Sequence, residues 1–144
     1  MLITSYTHAA VDNLLQKLLE YDVGTKDENG NINSDMIRIG DKKSCHVNIH
    51  RILASHLACE FDQKECKDKA PKSSPSVRNL RRVLCSSRIV GVTALTVPRT
   101  KLLVGQQFDY IICDEAGQVN QPAILGALRF ADSFVLVGGE KISR

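Results

Sequence analysis

The strongest pattern in the sequence is an unbroken apolar run over residues 110–113, which predicts a buried strand that starts near Phe108. Apolar runs of this kind are typical of parallel sheets, because helices cover both faces of such sheets. Two adjacent carboxylates, Asp114 and Glu115, follow where the strand should end. Ligands bind beyond the carboxyl ends of parallel strands, so the pattern places these two side chains in a site and not in a core.

Short apolar runs and amphipathic segments alternate along the whole chain. We predict strands over residues 1–4, 36–40, 88–93, 108–113 and 133–138. In the segments between them, apolar residues recur every three or four positions, which predicts helices over residues 9–20, 48–59, 77–84 and 121–130. Strands that alternate with helices are typical of the α/β class, here a mostly parallel sheet with flanking helices.

The length of 144 residues is that of one domain, so we treat residues 1–144 as a single unit. Residues 24–34 are rich in Asn, Gly and Asp and predict a polar loop, and residues 60–75 are dense in charge, Ser and Pro and predict an exposed linker or insertion. The chain contains no apolar run long enough to span a membrane, and its first residues lack the pattern of a secretory signal. We therefore expect an intracellular protein.

Charge and cysteine content narrow the function classes only slightly. The formal net charge is +3, so electrostatics alone do not make the chain a nucleic-acid binder. The five cysteines are scattered and odd in number, which favours reduced thiols over a disulfide framework.

A group of possible zinc ligands lies within a short span of the sequence. It comprises Cys45, His46, His50, His56, Cys59 and Cys66. Their spacing matches no closed pattern of paired ligands, so we favour solvated histidines and incidental thiols over a metal site.

The acidic pair fits the chemistry of nucleoside triphosphate hydrolysis. One carboxylate, Asp114, would hold Mg²⁺ directly or through water, because this small cation prefers oxygen ligands and keeps several of its waters. The other, Glu115, would orient or deprotonate the attacking water. A solvated acidic turn after a strand would contain the same two residues, so the pair alone does not decide between these interpretations.

A polar loop over residues 5–8 leads into the first predicted helix. Oxygens of Ser5, Thr7 and Asp12 lie near the first turn of that helix, where free N–H groups need acceptors. A polar loop at a helix amino terminus is also a natural phosphate contact. Simple capping explains the local pattern at least as well.

Taken together, four segments resemble motifs of superfamily 1 helicases of the Upf1-like group. Residues 4–15 (TSYTHAAVDNLL) are similar to motif Ia, residues 88–93 to motif Ic, residues 114–118 (DEAGQ) to motif II and residues 135–138 to the start of motif III. The residue sequence of motif Ia is most similar to that of the eukaryotic DNA-replication helicase/nuclease family. The resemblance covers nearly the whole chain except residues 40–75, and it implies a RecA-like P-loop NTPase core with ATP and Mg²⁺ as cofactors.

The resemblance also implies roles for individual residues. Asp114 would hold Mg²⁺, Glu115 would position the water that attacks the γ-phosphate, and Gln118 would sense the nucleotide. Single-stranded DNA would be contacted, mainly along its backbone, by Ser5, Tyr6, Thr7, His8 and Thr93. Contacts of this kind position a strand without reading its sequence. The resemblance also implies a role in DNA replication and repair in the nucleus, with mitochondria as a second location.

The chain departs from the family pattern in important places. It contains no G-x-x-x-x-G-K-[ST] motif, so we expect the P-loop strand to lie upstream of Met1. Motif III does not continue after Gly138, and neither a second motor domain nor a nuclease domain is recognisable in the sequence. We therefore expect a part of the first motor domain that is inactive alone, because P-loop amides and lysine provide most of the phosphate binding.

Two other interpretations stay open at this stage. One is an RNA helicase of the same group, but the Tyr-Thr-His sequence in motif Ia argues against it. The other is a non-enzymatic fragment that binds DNA or a partner protein. Sequence on both sides of this reading frame would distinguish them, because a P-loop and a nuclease domain in the same gene would identify the helicase/nuclease.

Overall fold

The computed structural model describes residues 1–21, 35–65 and 74–138. Five strands form one sheet: β1 (Leu2–Ser5), β2 (Met36–Arg38), β3 (Ile89–Thr93), β4 (Phe108–Asp114) and β5 (Ala131–Leu136). Four helices flank the sheet: α1 (His8–Glu20), α2 (Ala54–Glu65), α3 (Val77–Ser86) and α4 (Gln121–Leu128). Three short 3₁₀ helices occupy Val47–Ile52, Lys101–Leu103 and Ala116–Gln118.

Every strand pair in the sheet is parallel, and the strand order is β2-β3-β1-β4-β5. The predicted α/β class and the five predicted strands are confirmed. The strands β1, β3 and β4 lie at the centre, and β1 is almost fully buried. Because parallel strands share one carboxyl edge, the loops after these three strands open on the same side of the molecule.

Helices cover both faces of the sheet at β1, β2 and β3 with separate apolar layers. Most of β5 is exposed, and so is Tyr110 of β4, so the strand predicted to be buried over residues 110–113 is buried only in part. Successive residues of a strand point to opposite faces. Ile3 accordingly packs with Leu15 of α1, whereas Leu2 packs in the layer that contains residues of α2, α3 and α4. Helix α1 approaches β3 so closely that a Cβ atom on Gly91 would lie 2.6 Å from Cδ1 of Leu15. A side chain at position 91 would therefore force Leu15 to move from its place in the core.

The segment before α3 differs from the sequence prediction. The region predicted as one helix over residues 48–59 contains a 3₁₀ helix followed by α2. The helical conformation is interrupted at Leu53, which is extended and forms a bridge with Arg38 of β2. Helix α2 then continues to Glu65, so the linker predicted from residue 60 is wrong over residues 60–65. Phe61 explains the continuation, because it packs against the core and prolongs the apolar face of Ala54 and Ala58.

Two predicted segments lie largely outside the described residues. They are the polar loop over residues 24–34 and residues 66–73 of the predicted linker. In the described part of the chain, no helix combines the length and the apolar character needed to cross a membrane.

Candidate nucleotide and nucleic-acid site

The carboxyl ends of the three central strands are aligned. Ser5, the last residue of β1, pairs in register with Thr93 on one side and with Asp114 on the other. Residues in register point to the same face of a sheet, so the three side chains form a row across the strand ends. His8 begins α1 three residues after Ser5. The sequence prediction that these motif loops share one edge is confirmed.

The two carboxylates after β4 occupy different backbone conformations. Asp114 ends the strand, whereas Glu115 has φ 53° and ψ 34°, the left-handed region. Glu115 is the one non-glycine residue with positive φ in the described part of the chain. A left-handed conformation costs an L-residue about 1–2 kcal/mol, and such conformations concentrate at functional sites.

Hydrogen bonds hold both acidic side chains at the strand end. The backbone N–H of Glu115 donates to Oδ1 of Asp114 over 2.9 Å. The hydroxyl of Ser5 donates to Oε2 of Glu115 over 3.2 Å. Both carboxylates are half-buried, so each is fixed by the protein on one side and reachable from solvent on the other.

The turn after Glu115 is closed against the end of β5. The N–H of Ala116 donates to the carbonyl of Val137, and the N–H of Val137 donates to the carbonyl of Cys113, both over 2.8 Å. A Cβ atom on Gly138 would lie 3.2 Å from the nitrogen of Gly117. The lack of a side chain at Gly138 thus allows two backbone segments to meet beside the acidic pair.

Asp114 suits a divalent cation held through water. Its Oδ1 accepts the Glu115 N–H, and among the described residues its Oδ2 has no hydrogen-bond partner. One free carboxylate oxygen at an exposed edge is the kind of ligand that Mg²⁺ uses when it keeps most of its waters. The donor set therefore fits a magnesium ion that a nucleotide phosphate would help to hold.

The predicted DNA-contact residues differ in exposure. Tyr6 is 43% exposed, Thr7 is exposed and His8 is half-buried at the start of α1. Thr7 is also the N-cap of α1, since its Oγ1 accepts the N–H of Ala10 over 3.1 Å. The capping role of Thr7 is confirmed, and the DNA contacts of these three residues stay predictions.

The expectation that the hydroxyls of Ser5 and Thr93 touch DNA disagrees with their burial. Ser5 is 0% exposed and its hydroxyl bonds Glu115. Thr93 is 4% exposed and its hydroxyl lies 2.8 Å from that of Thr96. Both side chains serve the internal structure of the edge, because each hydroxyl already has a protein partner.

A buried ion pair beside the site was missed in the sequence analysis. Nε of Arg38 donates to Oδ1 of Asp12 over 2.7 Å, and both side chains are nearly inaccessible to solvent. Nη2 of Arg38 also lies 3.2 Å from Nδ1 of His8. The signal was present in the sequence: Asp12 lies on the apolar face of α1 and Arg38 lies inside an apolar strand, and buried opposite charges normally pair.

The three histidines considered as zinc ligands have other partners. Nδ1 of His46 accepts the N–H of Asn48, Nε2 of His50 lies 3.1 Å from two backbone carbonyls, and His56 lies 3.6 Å from Glu60. No group of three or more metal-binding side chains occurs within residues 1–21, 35–65 and 74–138. Cys66 lies outside these ranges.

Two buried thiols flank the site. Burial raises the pKa of the Cys113 thiol, and the Asp114 carboxylate raises it further. Burial also raises the pKa of the Cys45 thiol, with Arg38 opposing and Asp12 and Asp41 adding to the increase. Both thiols are therefore kept neutral and are poor nucleophiles.

Comparison with known proteins agrees with this geometry. Residues 55–141 match the model of the AAA domain family. The chain is 37% identical over 139 residues to the DNA replication ATP-dependent helicase/nuclease DNA2 of Xenopus laevis. It is 33% identical over 138 residues to the Homo sapiens protein of that name and 30% identical over 139 residues to the Saccharomyces cerevisiae protein.

The matches extend over nearly all of this chain but over a small part of each relative. They cover 96% of the chain in all three cases, but 11% of the Xenopus laevis and Homo sapiens proteins and 7% of the Saccharomyces cerevisiae protein. The resemblance to helicase/nucleases that the motifs predicted is confirmed. The family model matches more than half of this chain, so the chain belongs to the AAA domain family.

Proposed function

We propose that the chain is part of the first motor domain of an ATP-dependent DNA helicase/nuclease, which couples ATP hydrolysis to translocation on single-stranded DNA. The observation that carries the proposal is the acidic pair, with Glu115 held by Ser5 from the neighbouring strand. The relatives are named as DNA replication ATP-dependent helicase/nucleases, which favours DNA over RNA. The whole protein would act in replication and repair in the nucleus, with mitochondria as a second location.

The two carboxylates would divide the chemistry between them. Asp114 would hold Mg²⁺ through water, and Mg²⁺ would supply charge neutralisation at the nucleotide phosphates. Glu115 would accept a hydrogen bond from the attacking water and take its proton. The Ser5 hydroxyl would restrain the Glu115 carboxylate at the strand end.

The exposed residues of the edge would contact the nucleotide and the DNA. Gln118 is exposed just beyond the turn, and its N–H donates to the carbonyl of Glu115 over 2.8 Å, so a shift of Gln118 would move the backbone of the catalytic turn. Tyr6, Thr7 and His8 would contact the backbone of a single strand. The loop over residues 5–8 begins at Ser5, which bonds Glu115. DNA bound to this loop would therefore influence the position of the Glu115 carboxylate through Ser5.

The isolated chain would not hydrolyse ATP. The sequence carries no P-loop motif, and the two carboxylates alone repel a triphosphate. The P-loop, the second motor domain and the nuclease domain would come from other parts of the intact protein. Residues 1–144 would then be a partial motor domain and not a self-sufficient enzyme.

A chimaeric helicase tests this proposal. In it, this chain replaces the segment of the Xenopus laevis helicase/nuclease that aligns with it. We expect DNA-stimulated ATP hydrolysis by the chimaera and none by the isolated chain. A folded chimaera that binds ATP but shows no hydrolysis with single-stranded DNA would contradict the proposal, as would DNA-stimulated hydrolysis by the isolated chain that disappears in Glu115→Gln.

A further inference from the structure

We infer that residues 40–46, here named the 40–46 loop, form a further contact for the phosphates of a single DNA strand, with Lys42 and Lys43 as the charged groups. The loop connects β2 to the first 3₁₀ helix. The inference rests on the proposed function, since it assumes that DNA crosses the carboxyl edge of the sheet. It adds a contact that neither the motifs nor the sequence analysis suggested.

The 40–46 loop lies on the same edge as the candidate site. Strand β2 is parallel to β3, and its last residue, Arg38, pairs with Gly91. The chain therefore leaves the sheet on the side where β1, β3 and β4 end. At the other end of the loop, the N–H of His46 donates to Oδ2 of Asp12 over 2.6 Å, which returns the loop to the second turn of α1.

Arg38 joins the base of this loop to His8. Its guanidinium contacts Asp12 and His8, and Nη1 donates to the carbonyl of Ile39 over 2.6 Å. A guanidinium can only donate hydrogen bonds, so Nδ1 of His8 is the acceptor and Nε2 carries the proton. His8 therefore offers an N–H to a phosphate oxygen, and the same buried arginine holds the base of the 40–46 loop beside it.

A second set of hydrogen bonds orders the loop itself. Nε2 of His50 lies 3.1 Å from the carbonyl oxygens of both Lys42 and Cys45, which bridges the loop from within. The N–H of Lys43 meets Oδ1 of Asp41 at 3.3 Å, so the single acidic residue of the loop faces its own backbone. An ordered loop loses little conformational entropy when it binds a ligand.

The two lysines are available for a negatively charged partner. Both are exposed, and neither forms an ion pair with any residue in the described ranges. Lysine contacts to phosphates supply affinity without sequence preference. The strand order places the 40–46 loop, the loop after β3, Tyr6 to His8 and the acidic turn successively along one edge, as a strand-tracking surface requires.

Binding of a labelled oligodeoxythymidine to the full 144-residue chain, followed by fluorescence anisotropy over a range of salt concentrations, tests the inference. The variant is Lys42→Gln with Lys43→Gln. The matched control is Lys17→Gln with Arg88→Gln, which removes the same charge. Lys17 lies in the last turn of α1 and Arg88 immediately before β3, both toward the amino edge of the sheet.

Each phosphate contact contributes about 0.7 to the slope of log affinity against log salt for single strands. We expect the slope of the Lys42/Lys43 variant to be smaller in magnitude by about 1.4 and that of the control to equal the wild type. Between about 50 and 200 mM salt, the wild type should then lose about sevenfold more affinity than the Lys42/Lys43 variant.

The outcomes distinguish failure of the 40–46 loop contact from failure of the proposed function. The contact at the 40–46 loop would be overturned if the wild type and the Lys42/Lys43 variant had equal slopes. It would also be overturned if the Lys42/Lys43 variant and the Lys17/Arg88 control lost the same amount of slope. The proposed function would stand in both cases. A wild-type chain that does not bind the oligonucleotide even at low salt would overturn the inference together with the DNA-binding part of the proposed function.

Discussion

The hydroxyl of Ser5 donates a hydrogen bond to Oε2 of Glu115 over 3.2 Å and so joins the end of β1 to the turn after β4. Ser5 belongs to the segment that resembles a DNA-contact motif, whereas Glu115 belongs to the segment that resembles the hydrolysis motif. Ser5 is fully buried, so its hydroxyl contacts the acidic turn and not the solvent. The bond is a direct physical link between the loop that precedes α1 and the candidate general base.

Replacement of Ser5 by Ala in the chimaeric helicase should lower kcat and spare affinity for single-stranded DNA. A hydrogen bond to a charged group contributes about 1.5–3 kcal/mol, and a half-buried one falls at the low end, which corresponds to about tenfold in rate. ATP turnover and oligonucleotide binding measure the two effects.

Thr4→Val is the matched control for Ser5→Ala. Thr4 is buried next to Ser5, and among the described residues its hydroxyl has no hydrogen-bond partner. Its loss should leave turnover unchanged. Unchanged kcat with weakened DNA binding in the Ser5→Ala variant would instead favour a direct DNA contact by Ser5.

The left-handed backbone of Glu115 predicts a difference between two variants that both lack the carboxylate. Glu115→Gly should be more stable than Glu115→Ala by about 1 kcal/mol, because glycine avoids the cost of a Cβ atom at positive φ. Urea unfolding of both variants gives this difference. An alanine variant as stable as the glycine variant would show that the turn is not strained.

Removal of half of the buried ion pair should destabilise the chain strongly. Asp12→Ala leaves the Arg38 guanidinium buried without its counter-charge, and such changes cost about 3–5 kcal/mol. The combined change Asp12→Leu with Arg38→Met removes both charges and should cost clearly less. Denaturant unfolding measures both free energies, and equal losses would indicate that the charges themselves contribute little.

The thiols should react with iodoacetamide in order of exposure and thiolate content. Cys85 is exposed and should be modified first, whereas Cys45 and Cys113 are buried with raised pKa values and should stay protected at neutral pH. Peptide mass spectrometry locates the label, and the urea-unfolded chain is the control in which all sites react. Fast labelling of Cys113 in the folded chain would contradict its burial.

The same raised pKa values predict how stability depends on pH. The folded state favours the neutral thiols, so their contribution is complete below the thiol pKa of the unfolded chain, about 8.5. It is lost as pH rises through the higher folded values. Unfolding free energies measured from neutral to alkaline pH should therefore fall more for the wild type than for a variant with Cys113→Ala.

Strand positions and the shared edge could be predicted because they depend on local patterns. The apolar run before Asp114 and the alternation of strands and helices imply a parallel sheet, and parallel strands necessarily end together. The break at Leu53 and the extension of α2 to Glu65 could not be predicted. They depend on a bridge to Arg38 and on packing against α3, which composition does not reveal.

The details of the site also depend on contacts distant in sequence. Ser5 and Glu115 are 110 residues apart, and Asp12 and Arg38 are 26 apart. A Ser or Thr in the sequence does not indicate whether its hydroxyl caps a helix, binds DNA or restrains a carboxylate. Only the neighbouring strands decide which role is physically open to it, and here burial assigns Ser5 and Thr93 to the interior.

Replacement of Glu115 by Gln in the chimaeric helicase, with turnover and nucleotide affinity measured on the same protein, tests the central claim most directly. Glu115 would act on the attacking water, which matters only in the transition state, so kcat should fall about 10²–10⁴-fold while ATP affinity stays nearly unchanged. Asp114→Ala should weaken nucleotide binding as well, since it removes the support for Mg²⁺. Hydrolysis at the normal rate by the Glu115→Gln protein would contradict the account.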